Sequence, residues 1–256
     1  MSNIAIDFKH VTKTYSISRY KYRRLSEDLS HLFQRLILKQ AKTLQKEKLF
    51  AIRDVSFKIT QGTTLGIIGK NGSGKTTILK LISRITYPDA GEIRVNGKIG
   101  AFIELGAGLH PELSGRENIY LYGSIIGMKK SEIEEKYGNI VKFSGIEKFI
   151  DTPIKRYSSG MYARLGFSVI AFMEPEILLI DEVLAVGDKN FQEKCLEKMR
   201  EFTKSNKAII FVSHNMDAIK SVCSRVIYLE NGKIKKTGKS RDVIDYYIQR
   251  TSETNL

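Results

Sequence analysis

Apolar and polar positions alternate in the opening segments of the chain and then give way to short, unbroken apolar runs. The runs TLGIIG, EILLID and AIIFVSH are almost wholly apolar, which is typical of strands that are covered on both faces of a parallel sheet. Helix-like periodicity separates them, and the β-rich stretches IAIDF and DVSFKI come earlier. This order predicts an α/β fold with a mostly parallel core sheet.

Residues 16–50 do not fit a compact connection between the first two strands, because such connections are usually a few residues long. Six apolar residues within this segment recur at the spacing of one helical face: Leu25, Leu29, Leu32, Phe33, Leu36 and Ile37. Basic residues flank them: Arg19, Lys21, Arg23, Arg24, Lys39, Lys42, Lys46 and Lys48. We interpret the segment as a basic amphipathic insertion that contacts a membrane or a partner, or packs on its own domain.

Two capping-box patterns predict where helices begin in the middle of the chain. Ser114-Gly-Arg-Glu117 and Ser131-Glu-Ile-Glu134 each place a glutamate three residues after a serine. A helical region is therefore expected over residues 114–173. It should end at Glu174-Pro175, because the residue before a proline avoids the helical conformation.

Length and composition indicate a globular protein with one large domain or two joined lobes, since 256 residues with 42% apolar content can bury a core. The two cysteines, Cys195 and Cys223, lack CxxC spacing and indicate neither a disulfide framework nor a thiolate metal site. The N-terminus lacks the pattern of a signal peptide, and no apolar run approaches the ~20 residues that span a bilayer. Any membrane role is therefore expected to be peripheral.

The formal net charge of +14 is compatible with nucleic-acid binding, with attraction to an anionic membrane surface, or with phosphorylated ligands. A lysine-rich, solvated surface would give the same charge. Charge alone does not choose among these classes.

A phosphate-binding loop follows the first wholly apolar run. Residues 69–76 read GKNGSGKT, match GxxxxGK[ST], and open into the helix-like TTILKLISRI. Glycines let backbone N–H groups close around phosphate oxygens, the lysine reaches the outer phosphates, and the threonine hydroxyl suits Mg²⁺. The predicted nucleotide-binding residues here are Gly69, Lys70, Asn71, Gly72, Ser73, Gly74, Lys75, Thr76 and Thr77.

Two further strands end in polar residues that belong at the same sheet edge as the loop. Asp181 can hold Mg²⁺ at the end of EILLID, and Glu182 can act as the general base that polarises the attacking water. His214 follows AIIFV, where α/β folds bind ligands, and this favours a phosphate-sensing role. His110, next to Pro111, is assigned to a loop.

These motifs, in this order, resemble the nucleotide-binding domain of an ABC ATPase, with a signature-like Tyr157-Ser-Ser-Gly-Met161. The resemblance implies a P-loop NTPase fold with an N-terminal antiparallel β lobe and a helical signature subdomain. It also implies a head-to-tail homodimer, in which Ser158, Ser159 and Gly160 of one copy contact ATP on the P-loop of the other. Tyr15 resembles the family's adenine-stacking aromatic, although core packing would also explain it, and Asp188 resembles a polar contact between the two copies.

The sequence departs from the family pattern at two places. Its signature has serine and methionine where the family's LSGGQ has the first glycine and the glutamine. No glutamine occurs between Gln61 and Gln192, so the family's Mg-and-water glutamine is absent. Glu104 falls where that residue is expected, and we assign it to catalysis and to Mg²⁺ together with Thr76 and Asp181.

The block GAFIELGAGLHPELSGRENIYLYG, the signature helix, LAVGD and the insertion together resemble ATPases that export O-antigen polysaccharides and teichoic acids. The resemblance implies a lipid-linked polysaccharide as cargo, a separate integral membrane permease and a peripheral location on the cytoplasmic face of the inner membrane. Export of another substrate is the alternative. A soluble ABC ATPase acting on DNA or the ribosome would explain the charge, but such proteins generally carry coiled coils or a second P-loop, so nucleic acid is not an expected partner.

The predicted organisation is one nucleotide-binding domain over residues 1–250. Residues 1–100 and 175–250 form the RecA-like core and β lobe, including the 16–50 insertion. Residues 101–174 form the helical subdomain, and residues 251–256 form a frayed tail.

Overall fold

The structure is a computed structural model that describes residues 3–17, 47–102, 108–181 and 187–253. Its strands are β1 Ile4–Ile17, β2 Glu47–Thr60, β3 Thr64–Ile68, β4 Ala90–Val95, β5 Ile99–Phe102, β6 Ile177–Asp181, β7 Ala208–Val212, β8 Arg225–Glu230 and β9 Lys233–Lys239. Its α-helices are α1 Lys75–Ile82, α2 Gly115–Ile125, α3 Lys130–Ser144, α4 Ser159–Ala171, α5 Lys189–Lys204, α6 Met216–Val222 and α7 Ser240–Glu253. Two single 3₁₀ turns, Glu147–Phe149 and Ile154–Arg156, precede α4.

The core sheet has the order β5-β6-β7-β3-β8-β9. Neighbouring strands are parallel from β5 to β8, and β9 pairs antiparallel to β8. Each residue of β3 and β7 is buried, which confirms that the apolar runs are strands covered on both faces. Because parallel strands end at one edge, the loop after β3, the end of β6 and the segment after β7 lie side by side.

A second sheet, with the order β2-β1-β4, is antiparallel and forms the expected β lobe. The pairing of β1 with β2 extends from Ile4 opposite Thr60 to Ile17 opposite Glu47. Residues 16–17 and 47–50 are therefore paired strand, although the sequence assigned them to the insertion. The predicted amphipathic face at residues 25–37 lies outside the described residues.

The helical region begins as predicted at Ser114, which caps α2. Its Oγ accepts a hydrogen bond from the N–H of Glu117 at 3.2 Å, and the Glu117 carboxylate accepts one from the Ser114 N–H at 2.8 Å. The second predicted capping box is wrong. Helix α3 begins at Lys130, so Ser131 lies within its first turn and does not cap it. The cap is instead at Lys129, whose N–H donates a hydrogen bond to the Glu132 carboxylate at 3.4 Å.

Two predicted boundaries also differ from the structure. Strand β5 extends to Phe102, so residues 101–102 belong to the core sheet and not to the helical subdomain. Helix α7 continues to Glu253, and Thr251 donates a hydrogen bond from Oγ1 to the Tyr247 carbonyl at 2.9 Å. Residues 251–253 are thus helical, whereas a frayed tail was expected. Within the described ranges, no helix combines the length and apolar character needed to cross a membrane.

An aromatic cluster joins the helical subdomain to the core sheet. The buried ring of Phe167 on α4 lies 5.0 Å from Phe102 on β5, 6.0 Å from Phe143 on α3 and 5.9 Å from Phe191 on α5, measured between ring centroids. Aromatic pairs at this separation add to the hydrophobic stabilisation of their burial. Phe167 therefore connects elements that carry both the signature segment and the sheet.

We expect Phe167→Ala to lower the free energy of unfolding by about 3–5 kcal/mol, because it removes a large buried ring from a packed cluster. Phe149→Ala is the matched control, since Phe149 is 50% exposed and should cost far less. Chemical denaturation of both variants measures the difference. Equal effects of the two substitutions would contradict this role for Phe167.

Candidate nucleotide site

The loop between β3 and α1 is held in a conformation that requires glycine. Gly74 has φ 108°, and a Cβ there would lie 2.4 Å from the Ala51 carbonyl oxygen. At Gly69 a Cβ would lie 2.2 Å from the Leu229 carbonyl oxygen. Both contacts are with backbone, which cannot move aside as a flexible side chain can. The glycines therefore let the loop pass between β2 and β8.

Lys75 begins α1 and folds back over this loop. Its side chain is buried, and Nζ donates hydrogen bonds to the carbonyls of Gly69 at 2.8 Å and Lys70 at 3.1 Å. Burial lowers the pKa of Lys75, and the negative charge of Asp181 opposes that shift. A phosphate group in the loop would meet a desolvated ammonium group, which binds an anion more strongly than a hydrated one does.

Asp181 and Thr76 lie together at the end of β6. The Thr76 hydroxyl donates a hydrogen bond to Oδ2 of Asp181 at 3.2 Å. Burial raises the pKa of Asp181, whereas the Thr76 hydrogen bond and the charge of Lys75 lower it. Hydroxyl and carboxylate oxygens are the ligands that Mg²⁺ prefers, usually completed by water and substrate phosphates. The described residues contain no cluster of three or more His, Cys, Asp or Glu side chains that could hold a metal alone.

His214 follows β7 and lies on the same cavity, as the parallel-sheet prediction requires. Burial and the positive charge of Lys75 lower its pKa, and Asp181 opposes them. The imidazole is therefore neutral at pH 7 and can either donate or accept a hydrogen bond.

The cavity at this sheet edge has a volume of about 520 Å³ and is open to solvent. The loop, Asp181 and His214 form one side of it. The β1–β2 ribbon forms the other side with four residues: Tyr15, Leu49, Phe50 and Ala51. Tyr15 is 40% exposed, so it is not part of the core and its ring is available for stacking. Sequence reasoning missed the contributors from β2, although the apolar run LFAI at residues 49–52 could have indicated them.

These residues fit an adenine nucleotide. The Ser73 hydroxyl is buried in the loop and forms no hydrogen bond, so a polar atom is left without a partner where phosphate oxygens would lie. The glycine cradle and the lysine ammonium suit phosphate, and the exposed aromatic wall suits a base. The cavity volume also lies in the range of small-molecule sites.

The signature segment lines a second cavity of about 530 Å³ at the N-terminus of α4. Ser158 caps this helix, because its Oγ accepts a hydrogen bond from the Met161 N–H at 3.2 Å. Ser159 and Gly160 lie beside it on the cavity wall. The two cavities have no lining residue in common among the described residues. Within one copy, the signature segment does not reach the P-loop cavity.

Asp188 lies at the edge of the second cavity and caps α5. Its Oδ1 accepts a hydrogen bond from the Phe191 N–H at 3.0 Å, and Oδ2 pairs with Nη2 of Arg164 at 2.6 Å. The Phe191 bond and then the Arg164 charge lower the pKa of Asp188. Arg164 therefore joins the signature helix to the last residue of LAVGD, a link that sequence reasoning missed. Contact of Asp188 with a second copy stays a prediction.

A family model described as ABC transporter matches residues 52–185. The O-antigen export system ATP-binding protein RfbB of Klebsiella pneumoniae is 43% identical over 244 residues, which cover 95% of this chain and 97% of that protein. The chain belongs to the ABC transporter family. This confirms the resemblance inferred from the sequence motifs, and the chain is an ABC-type ATPase.

Two further comparisons agree with this membership. The teichoic acids export ATP-binding protein TagH of Listeria monocytogenes serotype 4b is 42% identical over 96% of this chain and 70% of that protein. A dimeric ATP-binding cassette in a post-hydrolysis state, bound to ADP and Pi, superposes with a TM-score of 0.71 at 22% identity and covers 92% of this chain and 98% of that one. The likeness to this solved cassette confirms the predicted fold.

Two residues assigned to catalysis in this ABC ATPase lie outside the described residues. Glu182 directly follows Asp181, and Glu104 comes two positions after Phe102. Their roles, and those of the residues in both cavities, stay predictions.

We expect Gly74→Ala to destabilise the ABC ATPase by about 2 kcal/mol or more and to abolish ATP binding, because both φ and the Ala51 carbonyl oppose a Cβ. Gly138→Ala in α3 is the matched control. A Cβ there meets nothing within 4 Å, and alanine favours a helix, so stability should be unchanged or higher. Thermal unfolding and titration with a fluorescent ATP analogue check both variants.

Asp181→Asn should stabilise the nucleotide-free protein at neutral pH. The unfolded carboxyl ionises near pH ~3.9 and the folded one at a higher pH, so the wild type loses stability as pH rises between these values. The asparagine variant escapes this loss. Its advantage in unfolding free energy should grow as the pH is raised from about 4.

The exposed Asp245→Asn, measured by the same denaturation series, is the matched control, because it removes a carboxylate from a solvent-exposed position. A constant difference between wild type and Asp181→Asn across this pH range would mean that burial does not disfavour the Asp181 charge.

Proposed function

We propose that two copies of this ABC ATPase close around MgATP and that hydrolysis drives export of a lipid-linked polysaccharide through a separate membrane permease. The proposal of a dimer rests on the separation of the two cavities within one copy. A nucleotide contacted by both the P-loop and the signature segment must then lie between two copies.

The P-loop would hold the phosphates in the first half of this composite site. Its backbone N–H groups and the N-terminus of α1 would face the phosphate oxygens, and Lys75 would turn from the loop carbonyls to the outer phosphates. Tyr15 would stack on adenine, with Leu49 and Phe50 closing the same wall. Thr76, Asp181 and Glu104 are the proposed ligands of Mg²⁺, which would neutralise charge on the phosphates.

Hydrolysis needs a base for water and a group that recognises the terminal phosphate. Glu182 is the proposed general base, since it follows Asp181 at the end of β6. The neutral imidazole of His214 would hydrogen-bond the γ-phosphate. The second copy would supply Ser158, Ser159 and Gly160, whose helix N-terminus stabilises the developing negative charge.

The names of the relatives support the proposed cargo. RfbB is named for O-antigen export and TagH for teichoic acids export, and each matches nearly the full length of this chain. The location that we propose from this likeness is the cytoplasmic face of the membrane, where the protein would be a peripheral subunit and the permease would supply the transmembrane path.

ATP turnover of Glu182→Gln should fall by on the order of 10²–10⁴-fold, because a positioned general base contributes about that much. ATP should still bind and should hold the variant as a dimer in size-exclusion chromatography. Glu135→Gln on α3 is the matched control, since Glu135 is exposed and should leave turnover unchanged.

Full turnover in Glu182→Gln would remove this residue as the base and make Glu104 the next residue to test. A variant that stays monomeric with saturating ATP would contradict the proposed dimer.

A further inference from the structure

A groove with a strongly positive lining lies between β2 and the β8–β9 hairpin. Its volume is about 510 Å³, and it has no lining residue in common with the nucleotide cavity. Four cationic side chains line it: Arg53, Lys58, Arg225 and Lys233. Positive charge gathered around one concave surface raises the local concentration of anions.

Within the described part of the chain, few acidic groups lie near these cations, and one of them, Glu230, is directly opposite Lys233 in the pairing of β8 with β9. Asp54 is the acidic residue among the described residues of the lining, and its Oδ1 lies 2.8 Å from Nδ1 of His10. Lys58 has a loose ion pair, with Nζ 3.7 Å from Oδ2 of Asp7. The Arg53 guanidinium stacks 4.1 Å from the ring centroid of Phe50. The lining therefore keeps a net positive charge.

Strand pairing provides an independent sign of unbalanced charge. The register of β8 with β9 places Arg225 directly opposite Lys239. Like charges directly opposite each other on antiparallel strands are destabilising. An anion bound at this end of the hairpin would relieve that repulsion.

The floor of the groove is apolar. Phe57, Ile227 and Ile234 line it, and Ile227 is buried. Apolar walls lower the local dielectric constant, which strengthens the attraction between the cations and a bound anion. They also give contact area for the carbon body of an anionic ligand.

We propose that this groove binds phosphate groups, carried either by a soluble phosphate ester or by an acidic lipid headgroup. The cations select the phosphate, and the apolar floor packs against the carbon atoms attached to it. Phosphate binding in this groove does not require ATP hydrolysis. The proposal can therefore be tested independently of the residues assigned to catalysis.

The test uses the full chain and the double variant Arg225→Gln/Lys233→Gln. The matched control is Lys142→Gln/Lys148→Gln, which removes two exposed positive charges from the helical subdomain and gives the same net charge. Glycerol 3-phosphate is titrated while the methyl signals of Ile227 and Ile234 are followed by NMR. Co-sedimentation compares vesicles of phosphatidylcholine with vesicles that also contain phosphatidylglycerol.

A saturable methyl shift with glycerol 3-phosphate would assign the groove to soluble phosphate esters. Binding only to phosphatidylglycerol vesicles would assign it to lipid headgroups. In either case affinity should fall by about 30-fold in the groove variant and stay unchanged in the control, because the variant removes two cations and each cation near an anionic surface contributes about 1 kcal/mol.

The single variant Arg225→Gln should also unfold at an unchanged or higher denaturant concentration, since it removes the repulsion between Arg225 and Lys239. Absence of both kinds of binding would overturn the proposal. Equal loss in the groove variant and the control would do the same, because binding would then follow net charge and not this site.

Discussion

The close approach of the P-loop backbone to β2 and to the β8–β9 turn is the contact on which the rest of the site depends. Gly74 passes the Ala51 carbonyl, and Gly69 passes that of Leu229. The Gly232 N–H donates to the Ser73 carbonyl at 3.1 Å, and the Gly232 carbonyl accepts from the Arg53 N–H at 2.8 Å. One turn residue thus ties the loop in the core sheet to the β lobe. This link fixes the position of the β1–β2 wall, which is expected to contact the base, relative to the P-loop, which is expected to hold the phosphates.

The same site holds charges that the folded protein stabilises poorly in the absence of a ligand. Burial works against the charged forms of Lys75, Asp181 and His214, and the attraction between Lys75 and Asp181 offsets part of that cost. Such perturbed groups are typical of functional sites. A nucleotide with its cation would add negative charge near Lys75 and positive charge near Asp181, so binding would relieve both penalties.

Much of the fold and of the P-loop side could be predicted because its signals are local. Apolar runs identified β3, β6 and β7, and the parallel arrangement then placed Asp181 and His214 at one edge. The contribution of Leu49 and Phe50 depends on pairing with β1 across residues 18–46, and no local pattern encodes that register. The pair of Arg164 with Asp188 likewise joins segments that only tertiary packing brings together. The start of α3 was misplaced because a glutamate carboxylate supplies a cap that the serine pattern does not reveal.

Site-directed cross-linking between two copies tests the central claim, that the P-loop of one copy meets the signature segment of the other. One preparation carries Asn71→Cys and another carries Ser158→Cys, and the natural Cys195 and Cys223 are buried. We predict that an oxidant forms a disulfide-linked dimer only when the two preparations are mixed, and only with ATP. Cross-linking that is absent from the mixture, independent of ATP, or equal in each preparation alone would contradict the composite site.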